Sequence, residues 1–500
     1  DFIYEQPGFP NTEYVFKHAL TQEVAYNSML IERRKILHER TGQVLESMFA
    51  DQLDDHISDL ARHYSSSDNI SKAIDYLGRA GQQALQRCAP SDATGYLALA
   101  IDLLQKLPQN GARIQRELPL QMALGLALIL LNGWSVPEVE HAFSRALEIC
   151  EQCGNAQESF FALYQLQVVY QVRADYRAAR ERAHQLVPLA QSRGDPTLLA
   201  LAHYAVGATS LHTGELELAR EHQQIAVSFY DQARDQHFVR TGVDAKEGCL
   251  SYEAWTLWHL GYPDQALTTG NAAVAFARGL DHPNSLASAE FFLSIVSVLR
   301  RDQAAAEMGA QRVIAFSTEH GVGAAWVHFA LVHLGWALVE RCKREGIERI
   351  QEGIAIAHAA GADIGRAYCL CLLAEADLKM DLVDDALNVI TDALAAVHQQ
   401  EERHYEPEIY RVKGEALLRQ DYSNVGQAEE CFRRAIEVAR KQNGKSLELR
   451  ATTSLARLLE KEGRRHEAHT MLAEIYNWFT EGFDTADLKE AKALLDRLSK

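Results

Sequence analysis

The sequence has 500 residues, of which 47% are hydrophobic and 24% are charged, with only 11 Pro and 30 Gly. At about 150 residues per domain, this length corresponds to three or four ordinary domains or to one elongated repeat array. The composition argues against intrinsic disorder and against a turn-rich β protein. A formal net charge of −18 disfavours nucleic acid as the partner, because binding to the phosphate backbone needs a basic surface.

The cysteines and the apolar stretches bear on the compartment. The eight cysteines are scattered through helical patterns and do not form the framework of a small secreted protein, so we expect a reducing cytoplasm. The chain opens with Asp1 and lacks both an initiator Met and a signal-peptide pattern, so we interpret it as a fragment. The longest apolar stretch, residues 120–131, is shorter than the about 20 residues that span a bilayer, and we expect no membrane segment.

A recurring spacing of small residues runs through most of the chain. A small residue is followed twelve positions later by Ala and seven positions after that by another apolar residue, as in Ala61, Ala73 and Ala80. Two antiparallel helices approach closely only where small side chains meet, so each occurrence predicts a helix pair. The later first positions, 39 to 47 residues apart, are Gln167, Gly207, Ala254, Ser294, Gly335, Ala374, Gly414 and Ala456. Gln167 and Ile347, the partner of Gly335, are bulkier members. The partner of Gly414 is Ala428, two positions later than the spacing requires.

Glycines mark the predicted turns between the paired helices. Gly214, Gly261 and Gly463 each lie seven residues after a first small position, where a helix end takes up the left-handed conformation. The helix pairs resemble tetratricopeptide repeats, and Phe432 occupies their aromatic site in the second helix. The predicted fold is therefore all-α, a right-handed α-solenoid of tetratricopeptide-like helix-turn-helix repeats that are longer than the standard of about 34 residues.

Several strings resemble one protein family. They are residues 14–28 (YVFKHALTQEVAYNS) with 32–35 (ERRK), 257–266, 445–451 and 478–492 (WFTEGFDTADLKEAK). They look like the region that follows the ATPase module in bacterial signal-transduction ATPases of the STAND type, often fused to a class III adenylate/guanylate cyclase domain. The resemblance implies a helical-repeat sensor or scaffold, with the cyclase and nucleotide-binding motifs upstream and outside this sequence. It carries over no catalytic residue.

Four segments follow from these patterns. Residues 1–50 are a helical remnant of the segment after an upstream ATPase module, residues 51–108 are the first repeat-like helices, residues 119–482 are the superhelix, and residues 483–500 are a C-terminal capping helix. The helical pattern lapses at residues 107–111, and Pro119 is predicted to open the next helix. Residues 234–244 show no helical face and predict an inserted loop, where function concentrates.

Residues 439–446 (ARKQNGKS) satisfy a relaxed P-loop pattern in which Ala replaces the first Gly. A true P-loop follows a buried strand, whereas residues 428–438 have the pattern of an amphipathic helix. We interpret Gly444 as the end of that helix and predict no nucleotide site. Cofactors are therefore expected to be absent from this chain.

Two pairs of metal-ligand residue types occur at short spacing. Cys150 and Cys153 form a CxxC pair without the second pair that a structural zinc site needs, and His466 and His469 have no third ligand nearby in sequence. We interpret both pairs as helix residues without metal. The sequence contains neither HExxH nor Gly-x-Ser-x-Gly, so we predict no catalytic residue and no enzyme activity.

The first helix of each pair is expected to line a concave groove. Its groove-facing positions are aromatic in the middle of the array, where anchors of this kind supply binding energy, although ordinary packing between repeats is the alternative. Towards the C-terminus the same surface turns polar, which suits either a salt-bridged wall or a polar partner. The candidate groove residues are Tyr164, Tyr204, Trp255, Trp258, Phe291, Trp336, Glu375 and Arg411, with Glu415 and Arg457 on the polar part.

We therefore expect a non-catalytic cytoplasmic sensor or scaffold that regulates an attached ATPase or nucleotide cyclase. Its expected partner is a protein or peptide effector, or the upstream domains of the same protein, with no role for nucleic acid or membrane. A terminal-carboxylate peptide is disfavoured, because such a ligand is clamped by Asn and Lys/Arg. The positions one residue after the small residues instead include Val168, Ala208, Trp255, Ile295, Trp336, Glu375 and Glu415. Two alternatives remain: a small-molecule-binding solenoid, and part of a protein whose ATP-binding or adenylate cyclase activity lies outside this chain.

Overall fold

The structure is a computed structural model that describes residues 3–6, 13–230, 242–320, 324–341 and 343–499. These residues form twenty-four α-helices, two short 3₁₀ helices and one two-stranded sheet. The chain divides into two compact units. The first comprises Asp1–Asn132 and His141–Asn155, and the second comprises Gly133–Glu140 and Ala156–Lys500.

The first unit begins with two short strands, which the sequence interpretation of a helical segment 1–50 missed. Residues Ile3 and Phe16 pair at one end of this antiparallel hairpin, where β-branched and aromatic residues favour extended backbone. The elements are β1 (Ile3–Gln6), β2 (Glu13–Phe16), α1 (Ala19–Ser28), α2 (Ile31–Met48), a 3₁₀ helix (Ala50–His56), α3 (Ile57–Ser65), α4 (Ile70–Gln86), α5 (Pro90–Gln105), α6 (Gly111–Asn132) and most of α7 (Pro137–Cys153).

Helix α6 differs from its prediction. It begins at Gly111, and Pro119 lies inside it rather than opening it. The side chain of Asn110 accepts a hydrogen bond from the backbone N–H of Arg113 at 3.0 Å, which supports this earlier start. Within the described residues, α6 is the one helix long and apolar enough to cross a membrane, but 56% of its most apolar window is buried, as is typical of a core helix.

The second unit consists of helix pairs in tandem, followed by one closing helix. The pairs are α8 (Ala156–Val172) with α9 (Tyr176–Arg193), α10 (Pro196–His212) with α11 (Leu216–Phe229), α12 (Ala245–Leu260) with α13 (Pro263–Arg278), α14 (Pro283–Leu299) with α15 (Gln303–His320), α16 (Ala324–Glu340) with α17 (Glu345–Ala359), α18 (Arg366–Lys379) with α19 (Val383–Gln400), α20 (Glu406–Gln420) with α21 (Val425–Lys441), and α22 (Lys445–Lys461) with α23 (Arg465–Tyr476). Helix α24 (Ala486–Leu498) follows the last pair.

The small-residue spacing places the two helices of each pair in close contact, which confirms the α-solenoid fold. A Cβ atom built on Gly414 would lie 2.5 Å from the ring of Phe432, and one built on Gly207 would lie 3.1 Å from the carbonyl oxygen of Ala219. Ala254 and its partner twelve residues later are both fully buried. Only small side chains permit backbones to approach this closely.

The turn between paired helices uses left-handed backbone in most pairs. Gly214, Gly261 and Gly463 have φ angles of 80°, 96° and 79°, as their positions predict. The equivalent turns of three other pairs have the same conformation without glycine. These residues are Ala174 (φ 59°), Arg301 (φ 57°) and Asp381 (φ 62°), which the sequence interpretation missed because it relied on glycine.

The second unit doubles back, so that first helices far apart in the chain meet. The hydroxyl of Ser446 in α22 donates to the carbonyl of Trp258 in α12 at 2.5 Å. The guanidinium of Arg450 donates to the carbonyl of Leu299 at 2.6 Å. As a result, the inner face of the early pairs is covered by the later ones. Of the predicted loop 234–244, residues 234–241 lie outside the described residues.

Candidate binding cavity

The structure buries the predicted aromatic ladder. Its members expose 6% of their surface or less, except for Tyr204, which is half-buried. They pack on rings from other helices: the ring of Trp255 lies edge-on to those of His212 and His404, with centroids 5.4 and 5.0 Å apart. The expectation of an open aromatic groove is therefore corrected, since the doubled-back helices fill it. A role in effector binding for Tyr164, Tyr204, Trp255, Trp258, Phe291 and Trp336 stays a prediction.

A cavity of about 340 Å³ opens on the inner face in the C-terminal half of the second unit. Its walls come from the first helices α14, α16, α18, α20 and α22, and from the residues beside them. The lining residues are Val298, Arg301, Trp336, Glu340, Leu372, Glu375, Leu378, Lys379, Tyr405, Arg411, Val412, Glu415, Arg419, Arg450 and Arg457.

The cavity brings together the polar positions that the sequence placed on this surface. Glu375, Arg411, Glu415 and Arg457 all line it, and Trp336 joins them from α16. Periodicity found these residues because each occupies one of the three groove-facing positions of a first helix. The other cations of the cavity lie outside those positions and were missed: Arg301 in a turn, Lys379 and Arg419 near helix ends, and Arg450 early in α22.

A buried ion network forms the back wall of the cavity. Arg411 donates to Glu408 at 2.9 Å and to Glu375 at 2.7 Å, and Arg450 donates to Glu408 at 3.2 Å. Burial alone raises the pKa of the Glu408 carboxyl, but the charges of Arg411 and Arg450 outweigh burial and hold this pKa at about 2. Burial and the neighbouring Glu408 charge raise the pKa of Glu375. The network thus fixes the two guanidinium groups in place.

The entrance of the cavity carries further cations. Arg419 donates to the carbonyl oxygen of Leu378, and within the described residues it has no carboxylate partner. Lys379 pairs with Glu340 at 2.6 Å, and Arg457 pairs with Glu490 outside the lining. In all, six Arg or Lys side chains and three Glu side chains line the cavity. Carboxylates pair with five of these cations, including Asp487 with Arg301 at 3.3 Å, so Arg419 is the lining cation best placed to receive an anionic group.

Comparison with known proteins finds a distant relative of this sequence. No known family model matches the chain. An uncharacterized protein of Rhizobium meliloti (strain 1021) is 23% identical over 460 residues, which cover 90% of this chain and 44% of that protein. The chain therefore spans less than half the length of this relative.

Two solved structures are similar to this chain to different degrees. A Rap protein complexed with competence and sporulation factor has a TM-score of 0.54 and 15% identity, over 74% of this chain and 98% of that one. A signal transduction ATPase with numerous domains (STAND) from Pyrococcus horikoshii, which has a tetratricopeptide repeat sensor, has a TM-score of 0.37 and 14% identity, over 89% of this chain and 74% of that one. The Rap likeness agrees with the α-solenoid fold.

The motifs that the sequence interpretation set aside lie in helical surroundings. The P-loop-like string spans the last residues of helix α21 and the first residues of α22, and a helix precedes it, not a strand. Helix α21 ends at Lys441, so the interpretation of Gly444 as its end is corrected: Gly444 is the N-cap of α22. Lys445 at its end lies 2.8 Å from Glu448. Cys150 is buried while Cys153 is exposed, so the two thiols face different surroundings. His466 is exposed on α23.

Proposed function

We propose that this chain is a non-catalytic sensor and interaction module that binds an acidic peptide or protein segment in the cavity. The observation that carries the proposal is the convergence of six cations on one cavity of the inner face. Guanidinium groups bind carboxylates through two parallel hydrogen bonds, so several of them select acidic side chains in a defined orientation. Trp336 supplies an apolar wall for the remainder of the ligand.

Arg419 is the first residue of the cavity to meet such a ligand. It is exposed, and its guanidinium bonds a backbone carbonyl rather than a carboxylate, so most of its donors are available. Arg411 and Arg450, in contrast, are already engaged by Glu408 and serve to keep the back wall positive. A ligand carboxylate is therefore expected to bind first at Arg419. Arg457 can join it only by exchanging its present partner, the exposed Glu490, for the ligand.

A bound effector agrees with the complex of the Rap protein, which was solved with competence and sporulation factor. A small anionic molecule is the second candidate, because a volume of about 340 Å³ lies within the range of about 300–1,000 Å³ typical of small-molecule sites. Both candidates require the same entrance cations. They differ in whether the ligand extends along the array beyond the cavity.

We further propose that binding regulates an attached STAND-type ATPase or nucleotide cyclase in a bacterial cytoplasm. Support comes from the resemblance of the strings at residues 14–28 and 478–492, and from the greater length of the Rhizobium relative. Helices α1 and α2 also carry exposed apolar side chains, typical of a surface that contacts another protein part. These side chains are Leu20, Val24, Leu30, Ile31 and Ile36.

Selection from a displayed library of random heptapeptides tests the ligand class. The chain should enrich peptides rich in Asp and Glu, and the enriched peptides should lose enrichment on Arg419→Ala but not on Arg434→Ala. Arg434 is a control because its side chain is 42% exposed, pairs with Glu437 on α21 and lies outside the cavity. Enrichment of peptides without acidic residues would contradict the proposal.

The regulatory part of the proposal is tested on the full-length parent protein. Addition of a selected peptide should change the rate of ATP hydrolysis or of cyclic nucleotide formation, and Arg419→Ala should abolish the change while leaving the basal rate intact. A ligand shifts such an equilibrium only through different affinities for the two states. The chain alone should show no ATP binding in calorimetry; micromolar affinity lost in Lys445→Ala would overturn the non-catalytic assignment.

A further inference from the structure

Three metal-ligand side chains converge in the interior of the second unit, away from the cavity lining. The ligand atoms of His212, Glu402 and His404 all lie within 4.8 Å of one another. His212 is the last residue of α10, whereas Glu402 and His404 belong to the connection between α19 and α20. All three side chains are 1% exposed or less. No short motif in the sequence predicts the group, because its members come from distant parts of the chain.

The group leaves buried polar atoms without partners in the described part of the chain. These atoms are Nε2 of His212, Oε1 of Glu402 and both ring nitrogens of His404. Buried polar atoms in native proteins are nearly always hydrogen-bonded, and each one left unpaired costs about 1–3 kcal/mol. One ligand atom from each of the three side chains lies within 4.8 Å of the other two, and this convergence of buried polar atoms favours a ligand bound between them.

Other contacts already orient the three side chains. The Tyr176 hydroxyl lies 3.2 Å from Nδ1 of His212, which leaves Nε2 of this ring available as a ligand atom. Oε2 of Glu402 accepts a hydrogen bond from the backbone N–H of Ala367 at 3.1 Å, which leaves Oε1 available. Histidine and carboxylate ligands of metals usually have such outer hydrogen-bond partners, which fix the tautomer and the orientation.

The backbone also holds the two segments together. The N–H groups of Arg403 and His404 both donate to the carbonyl oxygen of His212, at 2.8 and 3.2 Å. The Gln442 side chain donates to the carbonyl of Arg403 at 2.8 Å. The donor atoms therefore belong to a connection whose path is fixed, and small side-chain rotations suffice to change their separation.

We propose that His212, Glu402 and His404 bind one divalent transition-metal ion, and that Zn²⁺ fits this donor set best. Two imidazoles and one carboxylate are typical zinc ligands. Atoms no more than 4.8 Å apart lie within about 2.8 Å of a common point, so shifts of about 0.7 Å give the usual zinc distances of about 2.0–2.1 Å. His259 supplies the fourth position, directly or through a bound water, since both its ring nitrogens are unpartnered and its ring lies 5.6 Å from that of His404.

The ion would tie helix α10 to the connection before α20, at the point where the array doubles back. Backbone hydrogen bonds already join His212 to residues 403–404, and the ion would add a second, metal-dependent link between the same segments. Metal binding to the folded chain stabilises it by mass action, so the melting temperature should rise with zinc. This inference does not depend on the proposed peptide function.

The test uses the whole chain, stripped with a chelator and titrated with Zn²⁺ alone. Native mass spectrometry should show one tightly held zinc per chain, and the melting temperature should rise on addition. His404→Gln should weaken zinc binding by at least about 100-fold, more than loss of an outer hydrogen-bond partner costs. The double variant His466→Gln/His469→Gln, which alters the other paired histidines, should retain full affinity.

Two outcomes overturn the proposal. One is a wild-type chain that takes up no metal, which would leave buried water as the partner of these atoms. The other is a folded His404→Gln chain that binds zinc as tightly as wild type. Where the variant fails to fold, the visible spectrum of the Co²⁺-loaded wild-type chain decides: tetrahedral nitrogen and oxygen coordination supports the site, and an octahedral surface-type spectrum contradicts it.

Discussion

Gly335 and Gly346 pack back to back, so that a Cβ atom on either one would lie 2.4 Å from the carbonyl oxygen of the other. Helices α16 and α17 therefore touch through their backbones. The twelve-residue spacing pairs Gly335 with Ile347, which has a larger side chain than the Ala found as the second member of the other pairs. The structure shows that the glycine beside it makes the approach.

Gly346→Ala should destabilise the second unit by about 2 kcal/mol or more, because the added methyl group has no room and the two backbones must separate. Urea unfolding followed by circular dichroism measures the change. Gly426→Ala in α21 is the control, since a Cβ there meets nothing within 4 Å and Ala favours the helix by about 1 kcal/mol. Equal effects of the two substitutions would contradict the close contact.

At the left-handed turns, removing a glycine and introducing one are predicted to change the free energy of unfolding in opposite directions. Gly463→Ala should destabilise the fold by about 1 kcal/mol, because its φ of 79° strains any residue with a Cβ atom while the surroundings are open. Asp381→Gly should stabilise it by up to about 1 kcal/mol, since Asp381 has φ 62° at the same position of another pair and is exposed. Thermal unfolding of both variants checks the signs, and a destabilised Asp381→Gly would count against strain at this site.

Burial of Glu247 predicts a loss of stability with rising pH. Burial raises the pKa of this carboxyl from 4.5 to about 8, despite its hydrogen bond from Ser251. Between these values the unfolded chain has lost the proton that the folded chain keeps, so the free energy of unfolding falls as pH rises from 4.5 to 8. Glu247→Gln should equal wild type near pH 4 and exceed it by about 2 kcal/mol or more at pH 8. Urea unfolding across this range measures the difference; parallel profiles would contradict the shift.

Trp258 predicts a large core effect. Its side chain is 2% exposed and lies under the guanidinium of Arg450, which is 4.8 Å from the ring centroid. Trp258→Ala should therefore cost about 3–5 kcal/mol of unfolding free energy, through lost burial and a residual cavity. Trp478→Ala should cost clearly less, because that side chain is 38% exposed. A Trp258→Ala chain with the unfolding free energy of wild type would contradict a large contribution of this ring to stability.

Local periodicity determined much of the fold. The twelve-residue spacing placed every small residue of the second unit in the correct helix, because close helix packing demands small side chains at fixed separation. The same spacing located Glu375, Arg411, Glu415 and Arg457 on one surface. These features depend on contacts between neighbours in the chain.

Contacts between helix pairs that are far apart in the chain could not be predicted from the sequence. Nothing in the repeat spacing indicates that Ser446 meets Trp258, or that Arg450 of the same helix covers the ring of Trp258. The same doubling-back assembles His212 with Glu402 and His404, whose separation in the chain hides their proximity. The strands at the N-terminus were missed for a different reason, since eight paired residues are too few to show a clear alternation.

The most direct measurement for the account is the affinity of one selected acidic peptide for wild type, Arg419→Ala, Arg457→Ala and Arg434→Ala, determined by calorimetry at two salt concentrations. Loss of a charged hydrogen bond costs about 1.5–3 kcal/mol, so each cavity variant should bind at least about tenfold more weakly, with a smaller dependence on salt. Arg434→Ala should bind like wild type. Equal affinities for all four chains would contradict the assignment of the cavity as the binding site.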